Sequence, residues 1–400
     1  MKRLDDARIL MYSHDTFGLG HLRRCRTIAH ALVEQFKGVS VLIISGSQIA
    51  GAFDFRARVD FVKIPSVIKL YSGDYTSISD HIDIEDILTM REAIIRSTAE
   101  IFDPDIFIVD KEPMGLRGEV EPVLRLLKER GTRLILGLRD VMDSPELLES
   151  EWEKKNVIDR IEELYDHIWV YGPRDFWNPL NGLPLPANLT RKIECTGFLR
   201  RETSSTDHLN ELELPDDYVL VTAGGGGDGA DIMRYVLSAV ENDPTLIHNF
   251  VLVLGPFMRA EFREELYRRA DALKTVTIID FDNDMEAIMA GASAVVGMCG
   301  YNTFCEIISF DKPSLFVPRT RPREEQLIRA TRAQELELSR MLDSDNAEDP
   351  QKMAEELKLL PQRNRPSSAD WTIDLSGLES ICARVETILD QATTPETQDA

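Results

Sequence analysis

Apolar runs of strand length recur along the chain with amphipathic stretches between them. In the first half they are RILMYS (8–13), VSVLIIS (39–45), DFVKIP (60–65), DIFIVD (105–110), TRLILGL (132–138) and HIWVYG (167–172). A second series follows: YVLVTAG (218–224), NFVLVLG (249–255), TVTIID (275–280), ASAVVG (292–297) and PSLFVP (313–318). Strands buried on both faces read as continuous apolar runs, so this pattern predicts parallel sheets covered by helices on each side, an α/β fold. Between the two series, Glu194 to Asp217 loses the apolar period and gathers Ser, Thr and acids, as a connection between domains does. After Leu342 the text turns polar and irregular, LESICARVETILDQ (378–391) reads as a last amphipathic helix, and ATTPETQDA as a disordered tail.

At 400 residues the chain exceeds what one hydrophobic core organises, and two Rossmann-like domains in tandem are the simplest reading. The expected boundaries are 1–193 for the N-terminal domain, 194–216 for the connection, 217–375 for the C-terminal domain, 376–391 for the closing helix and 392–400 for the tail.

With 46 Lys and Arg against 69 Asp and Glu, the net charge of −23 argues against a general nucleic-acid binder, which needs a basic face. Local basic spots remain in HLRRCR (21–26) and PRTRPR (318–323), so an anionic small ligand fits better. No run of 18 apolar residues predicts a transmembrane helix, and MKRLDDARILMY places acids before a short apolar run, unlike a secretory signal. A cytoplasmic location is expected, compatible with peripheral membrane contact. The five cysteines form no CxxC pair, which fits reduced thiols rather than a disulfide framework or a structural zinc site.

The first candidate site is HDTFGLGHLRRC (14–25). His21 sits just past the first strand, where a helix running to about Phe36 begins, at the carboxyl edge of a parallel sheet where ligands bind. Gly18 and Gly20 allow close backbone approach, and the helix start offers N–H groups and a positive dipole end. Arg23 stands where a dinucleotide loop has its third glycine, and the second strand ends in SGSQ with no acid for a ribose, so NAD binding is disfavoured. His21 has the chemistry of a general base; the alternative is a histidine capping or packing at a helix start. His14, on the strand end, reads as structural or as a ligand contact. Cys25 reads as buried filler, with a helix-start nucleophile as the alternative. Arg23 and Arg24 are either an attraction for an anion or a solvated helix face. Asp110 and Asp140 each follow a strand at the same edge, as hydroxyl-binding or base-assisting acids or as helix caps.

In the second half VTAGGGGDGAD (221–231) follows a strand and precedes a helix, and Gly225 and Gly226 belong to a turn able to present N–H groups to phosphate, or needed only for packing. It lacks the G-K-[ST] ending of a Walker loop. The most specific stretch is GMCGYNTFCEIISFDKPSLFVPRTRPREEQLIRA (297–330). Gly300 permits a tight turn, Asn302 and Thr303 open the next helix, and Glu306 falls one turn later, able to hold a ribose diol or simply favoured near a helix start. Arg319, Arg321 and Arg323 are phosphate partners or solvated charge, and Glu325 and Gln326 carry groups of the kind that read sugar hydroxyls.

The succession of glycine, small polar residue, Thr-x-x-Glu, apolar-Pro and a late Gln resembles the nucleotide-sugar site of GT-B glycosyltransferases. It is most similar to the branch containing the N-acetylglucosaminyltransferase that makes peptidoglycan lipid intermediates, whose G-x-G-H turn the N-terminal stretch also resembles. GLGHLRRCRTIAHAL (18–32) is even more similar to the opening of the UDP-sugar hydrolase of pseudaminic acid synthesis, a relative on the same fold. The resemblance implies two Rossmann-like domains facing across a cleft, the N-terminal one on the acceptor side, and a C-terminal helix crossing back to the N-domain. It implies Glu306 on the ribose, Gly300 to Thr303 near the diphosphate, and Glu325 and Gln326 on the donor sugar, with Glu325 standing where that transferase has a first glutamine. The expected activity is transfer of a hexosyl or N-acetylhexosaminyl group from a nucleotide-diphosphate sugar, UDP by resemblance, to a hydroxyl acceptor, without metal or cofactor, His21 being the base. Hydrolysis with water as acceptor, and binding without turnover, are the alternatives; acceptor-dependent release of nucleotide separates the first from both.

Overall fold

The computed structural model describes residues 6–14, 19–69, 75–77, 81–203 and 212–391. The chain divides into two compact units, Met1–Leu199 with Asp374–Ala400, and Arg200–Ile373.

The first unit is built on strands β1 (Arg8–Ser13), β2 (Ser40–Ser45), β3 (Val59–Lys63), β6 (Ile106–Asp110), β7 (Arg133–Arg139), β8 (His167–Tyr171) and β9 (Ile193–Cys195), in the order β3-β2-β1-β6-β7-β8-β9. All neighbours pair in parallel. A separate hairpin pairs β4 (Val67–Lys69) with β5 (Tyr75–Ser77). Leu10, Phe107, Val109, Leu134, Leu136 and Ile168 form one core with the helices behind them. Each such side chain contributes roughly 1.5–3 kcal/mol by leaving water.

Helix α1 (Gly20–Gln35) buries Leu22, Cys25, Ile28, Ala29, Leu32 and Val33, a three-and-four spacing that makes one apolar stripe. It packs against the last helix, Gly377–Gln391, which buries Ile381, Cys382, Val385, Ile388 and Leu389. Arg384 ties that helix to the sheet edge, pairing with Glu194 at 2.7 Å and donating to the Cys195 carbonyl at 3.2 Å. Strand order reverses at β1: β2 lies on one side and β6 on the other. Ser13 and Asp110, the last residues of β1 and β6, are register partners at this switch point, the place where open α/β sheets bind ligands.

The second unit repeats the arrangement with β10 (Val219–Thr222), β11 (Phe250–Val253), β12 (Val276–Ile279), β13 (Ala294–Gly297), β14 (Ser314–Phe316) and β15 (Arg340–Met341), ordered β12-β11-β10-β13-β14-β15, all parallel. Here the switch point falls between β10 and β13, where Thr222 pairs with Gly297.

Two readings of the sequence are corrected. Glu194 and Cys195, assigned to the connection, belong to β9, because the partners of this short edge strand lie on β8 rather than in its own pattern. Residues after Leu342 are not irregular: helices span Ser344–Glu348 and Pro350–Leu359. Asp349 caps the second through the Gln351 and Lys352 N–H groups, Pro350 pre-sets its first turn, and Met353, Ala354 and Leu357 face the core. The tail 392–400 lies outside the described residues. Among the described residues no helix is long and apolar enough to cross a membrane.

Candidate functional site

At the first switch point α1 begins immediately beside the end of β6. Nδ1 of His21 lies 2.5 Å from Oδ2 of Asp110. Arg24, one turn further along α1, grips the same carboxylate with two bonds, Nε to Oδ1 at 2.8 Å and Nη2 to Oδ2 at 2.5 Å. Asp110 and Arg24 are buried, and His21 is 15% exposed at its side chain, enough to reach a substrate. A carboxylate only accepts, so the imidazole proton sits on Nδ1 and Nε2 keeps its lone pair.

The charges follow from this geometry. Burial pushes the Asp110 carboxyl up, but Arg24 and His21 outweigh it and hold it well below the usual carboxylate range. Burial pushes His21 down and its Asp110 bond pulls it up; the balance is a value lowered to about 4, with Arg24 opposing the imidazolium. His21 is therefore a neutral imidazole near pH 7, its ring oriented by Asp110. Arg24 is neither a free attraction for anions nor a solvated side chain, and Asp110 caps no helix. Nothing in the local pattern marked Arg24; the available signal was its place three residues after His21 on one helical face. Cys25 is buried in the core. Asp140, also buried, follows β7. Gly20 is the first residue of α1, and Gly18 lies outside the described residues.

A second buried network stands beside this one. The Tyr12 hydroxyl donates to Glu119 at 2.5 Å, Arg91 holds Glu119 with two bonds of 2.6 Å, and Nδ1 of His14 lies 3.2 Å from the Tyr12 hydroxyl oxygen. The His14 and His21 rings are 5.7 Å apart, edge to face.

In the second unit the glycine-rich turn follows β10. Gly226 has φ +83°, and a Cβ there would meet the Leu254 carbonyl oxygen at 2.3 Å, so the turn after β11 requires this glycine for packing. Gly225, next to it, is half-buried, and its carbonyl accepts from the Phe257 N–H at 3.0 Å. Gly300 differs: its φ is −63°, ordinary for any residue, and a Cβ would find nothing within 4 Å. The protein's own packing does not demand glycine there. Gly300 is the N-cap of the helix Tyr301–Ser309, whose start carries no side-chain cap and no acid in its first turn. Such a start suits an anion. Asn302, Thr303 and Glu306 are buried on this helix, and the Asn302 side-chain oxygen accepts from Arg201 at 2.8 Å.

Arg319 draws three of the sequence candidates together. It pairs with Asp228 of the glycine-rich turn and with Glu325 at 2.7 Å, and its N–H donates to the Gln326 side chain at 3.0 Å. Glu325 and Gln326 are thus held beside the glycine-rich turn. The Asp-x-Asp spacings at Asp280, Asp282 and Asp284 have structural work: Asp280 pairs with Arg263 at 3.1 Å, Asp282 accepts from the Asp284 N–H at 2.7 Å, and Asp284 caps the next helix through Ala287. Among the described residues no group of three or more His, Cys, Asp or Glu is placed to hold a metal ion.

Residues 218–371 match the Glycosyltransferase family 28 C-terminal domain. An uncharacterized glycosyltransferase of Methanosarcina acetivorans is 24% identical over 315 residues, 75% of this chain and 77% of that protein. Among solved structures, the glycosyltransferase of kitacinnamycin superposes with a TM-score of 0.60 at 17% identity, over 96% of this chain and 99% of that one. MurG of Acinetobacter baumannii superposes with a TM-score of 0.54 at 12% identity, over 96% and 99%. The chain therefore carries a glycosyltransferase family 28 C-terminal domain within a GT-B fold, and is an enzyme of the glycosyltransferase class.

Proposed function

We propose that the protein transfers a hexosyl or N-acetylhexosaminyl group from a UDP-sugar to a hydroxyl acceptor, with His21 as general base and no metal in the step. The acceptor oxygen attacks the anomeric carbon, the bond from that carbon to the diphosphate oxygen breaks, and the hydroxyl proton passes to His21 Nε2. The observation that carries this reading is the Asp110 carboxylate, fixed by Arg24 and accepting from His21 Nδ1 at 2.5 Å. Asp110 orients the ring and stabilises the imidazolium formed during transfer, a role that calls for a carboxylate which stays ionised.

The uncapped helix start at Gly300 to Thr303 receives the diphosphate and offsets the charge that develops on the leaving UDP. Glu306, on the same helix, holds the ribose. Glu325 and Gln326 contact the sugar, with Arg319 setting their positions. Support for the donor half comes from the family 28 domain match, which covers all of these residues.

The test is a panel of UDP-, GDP- and dTDP-sugars screened for thermal stabilisation, followed by nucleotide release with and without hydroxyl acceptors. Stabilisation by a UDP-sugar and release that rises with acceptor are expected. Release at full rate in water alone makes the protein a hydrolase, and stabilisation by none of the sugar nucleotides removes the assignment.

A further inference from the structure

His14 is not needed by the step above, yet it is held as carefully as His21. Its only hydrogen-bond partner among the described residues is Tyr12. The Tyr12 hydroxyl gives its proton to Glu119 at 2.5 Å, because that carboxylate can only accept, and Arg91 completes the pair from the other side while donating to the Pro65 carbonyl. What the Tyr12 oxygen offers His14 is therefore a lone pair, which requires the proton of His14 on Nδ1 and leaves Nε2 as an acceptor. Arg91, Glu119, Tyr12 and His14 are all at most 5% exposed, so solvent does not scramble this order.

The result is two imidazoles 5.7 Å apart at one sheet edge, each with Nδ1 engaged by a buried chain that ends in an arginine–carboxylate pair. Burial pushes His14 down to about 3, with Glu112 favouring its charged form and His21, Lys111 and Arg91 opposing it, so it is neutral near pH 7 and cannot attract a phosphate as a cation. A neutral nitrogen acceptor takes an O–H or N–H donor rather than an anion, and beside a residue that takes a hydroxyl proton in the proposed step the fitting donor is another hydroxyl of the same molecule.

We infer that His14 positions the acceptor by receiving a second hydroxyl of it on Nε2, next to the hydroxyl that His21 deprotonates. The acceptor class this selects is a polyol or glycoside with neighbouring hydroxyls rather than a molecule with a single hydroxyl. Tyr12 acts through His14 as a positioning residue, fixing its tautomer. This inference rests on the transferase reading, and its test does not depend on turnover.

In the full-length protein labelled with ¹⁵N-histidine and saturated with UDP, two-bond proton–nitrogen correlations assign the tautomer of His14. The Nδ1–H form is expected, with an unprotonated Nε2 whose resonance moves upfield when methyl glycosides of glucose, galactose, mannose and N-acetylglucosamine are added in turn. Benzyl alcohol at equal concentration should leave it in place. Tyr12→Phe, which removes one hydroxyl and leaves the Arg91–Glu119 pair intact, should shift His14 toward the Nε2–H form and weaken the glycoside response at least threefold. An Nε2–H tautomer in the wild type, or an Nε2 that none of the four glycosides moves, overturns the inference. A His14 that responds in a protein releasing no nucleotide would instead count against the transferase reading alone.

Discussion

Arg24→Met tests the electrostatics of the dyad. In the wild type Arg24 stands 3.3 Å from His21 Nδ1 at closest approach and opposes the imidazolium that Asp110 favours. Removing the cation leaves Asp110 facing His21 alone, and the pKa of His21 must rise. At an effective dielectric near 20, unit charges about 4 Å apart interact by about 4 kcal/mol, or roughly 3 pK units. The guanidinium charge is spread beyond its nearest nitrogen, which reduces this to about 2. The acid limb of kcat/KM for nucleotide release, set by His21 at about 4 in the wild type, should therefore move to near 6. Arg24→Lys is the control: it keeps the charge and loses the fork, so its limb should stay within about half a unit of wild type even if both variants lose stability. Acid limbs that coincide in all three proteins would refute the reasoning, as would a limb that moves equally in both variants.

Gly300→Ala should leave the melting temperature within about 2 °C, since the backbone is ordinary and the added methyl meets nothing, while UDP-sugar affinity by calorimetry falls about tenfold or more; unchanged affinity would remove the diphosphate from that helix start. Gly226→Ala should do the reverse in kind, costing about 2–4 kcal/mol in urea unfolding because a positive φ and a carbonyl at 2.3 Å oppose the methyl. His14 and His21 have folded values lowered to about 3 and about 4, below the unfolded value, so the unfolded chain binds more protons between roughly pH 6.5 and 4 and stability should fall on acidification there. Urea midpoints at pH 7 and 5 should differ in this sense, and His14→Gln should shrink the difference by about 1–2 kcal/mol; a midpoint that is independent of pH would contradict the assignment of both rings as buried and neutral.

How far the sequence reads into the structure depends on the range of the forces involved. Runs such as SVLIIS and RLILGLR are visible because a strand buried on both faces must be apolar throughout, and the two series of runs coincide with the central strands of both sheets. Strands β9 and β15, three and two residues long, exist only through their neighbours and leave no periodic trace. The helix Pro350–Leu359 was hidden because its apolar face is narrow and its other faces are Glu and Lys. His21 was legible from its turn, since Gly20 and a strand end announce a ligand edge. Asp110 was legible as a candidate base-assisting acid at the same edge, but its bond to His21, 89 residues away, was not, nor was that of Glu119 to Tyr12, 107 residues apart; only strand order creates such pairings. Arg24 looked like surface charge because helical spacing cannot say that the face it occupies meets a carboxylate.

The most direct test of the central claim compares wild type with His21→Ala on the UDP-sugar that stabilises the protein most. Loss of a positioned general base predicts that acceptor-dependent nucleotide release falls by about 10²–10⁴-fold while the dissociation constant for the UDP-sugar stays within about threefold. Release at the wild-type rate, or a loss accounted for entirely by weaker donor binding, would contradict it.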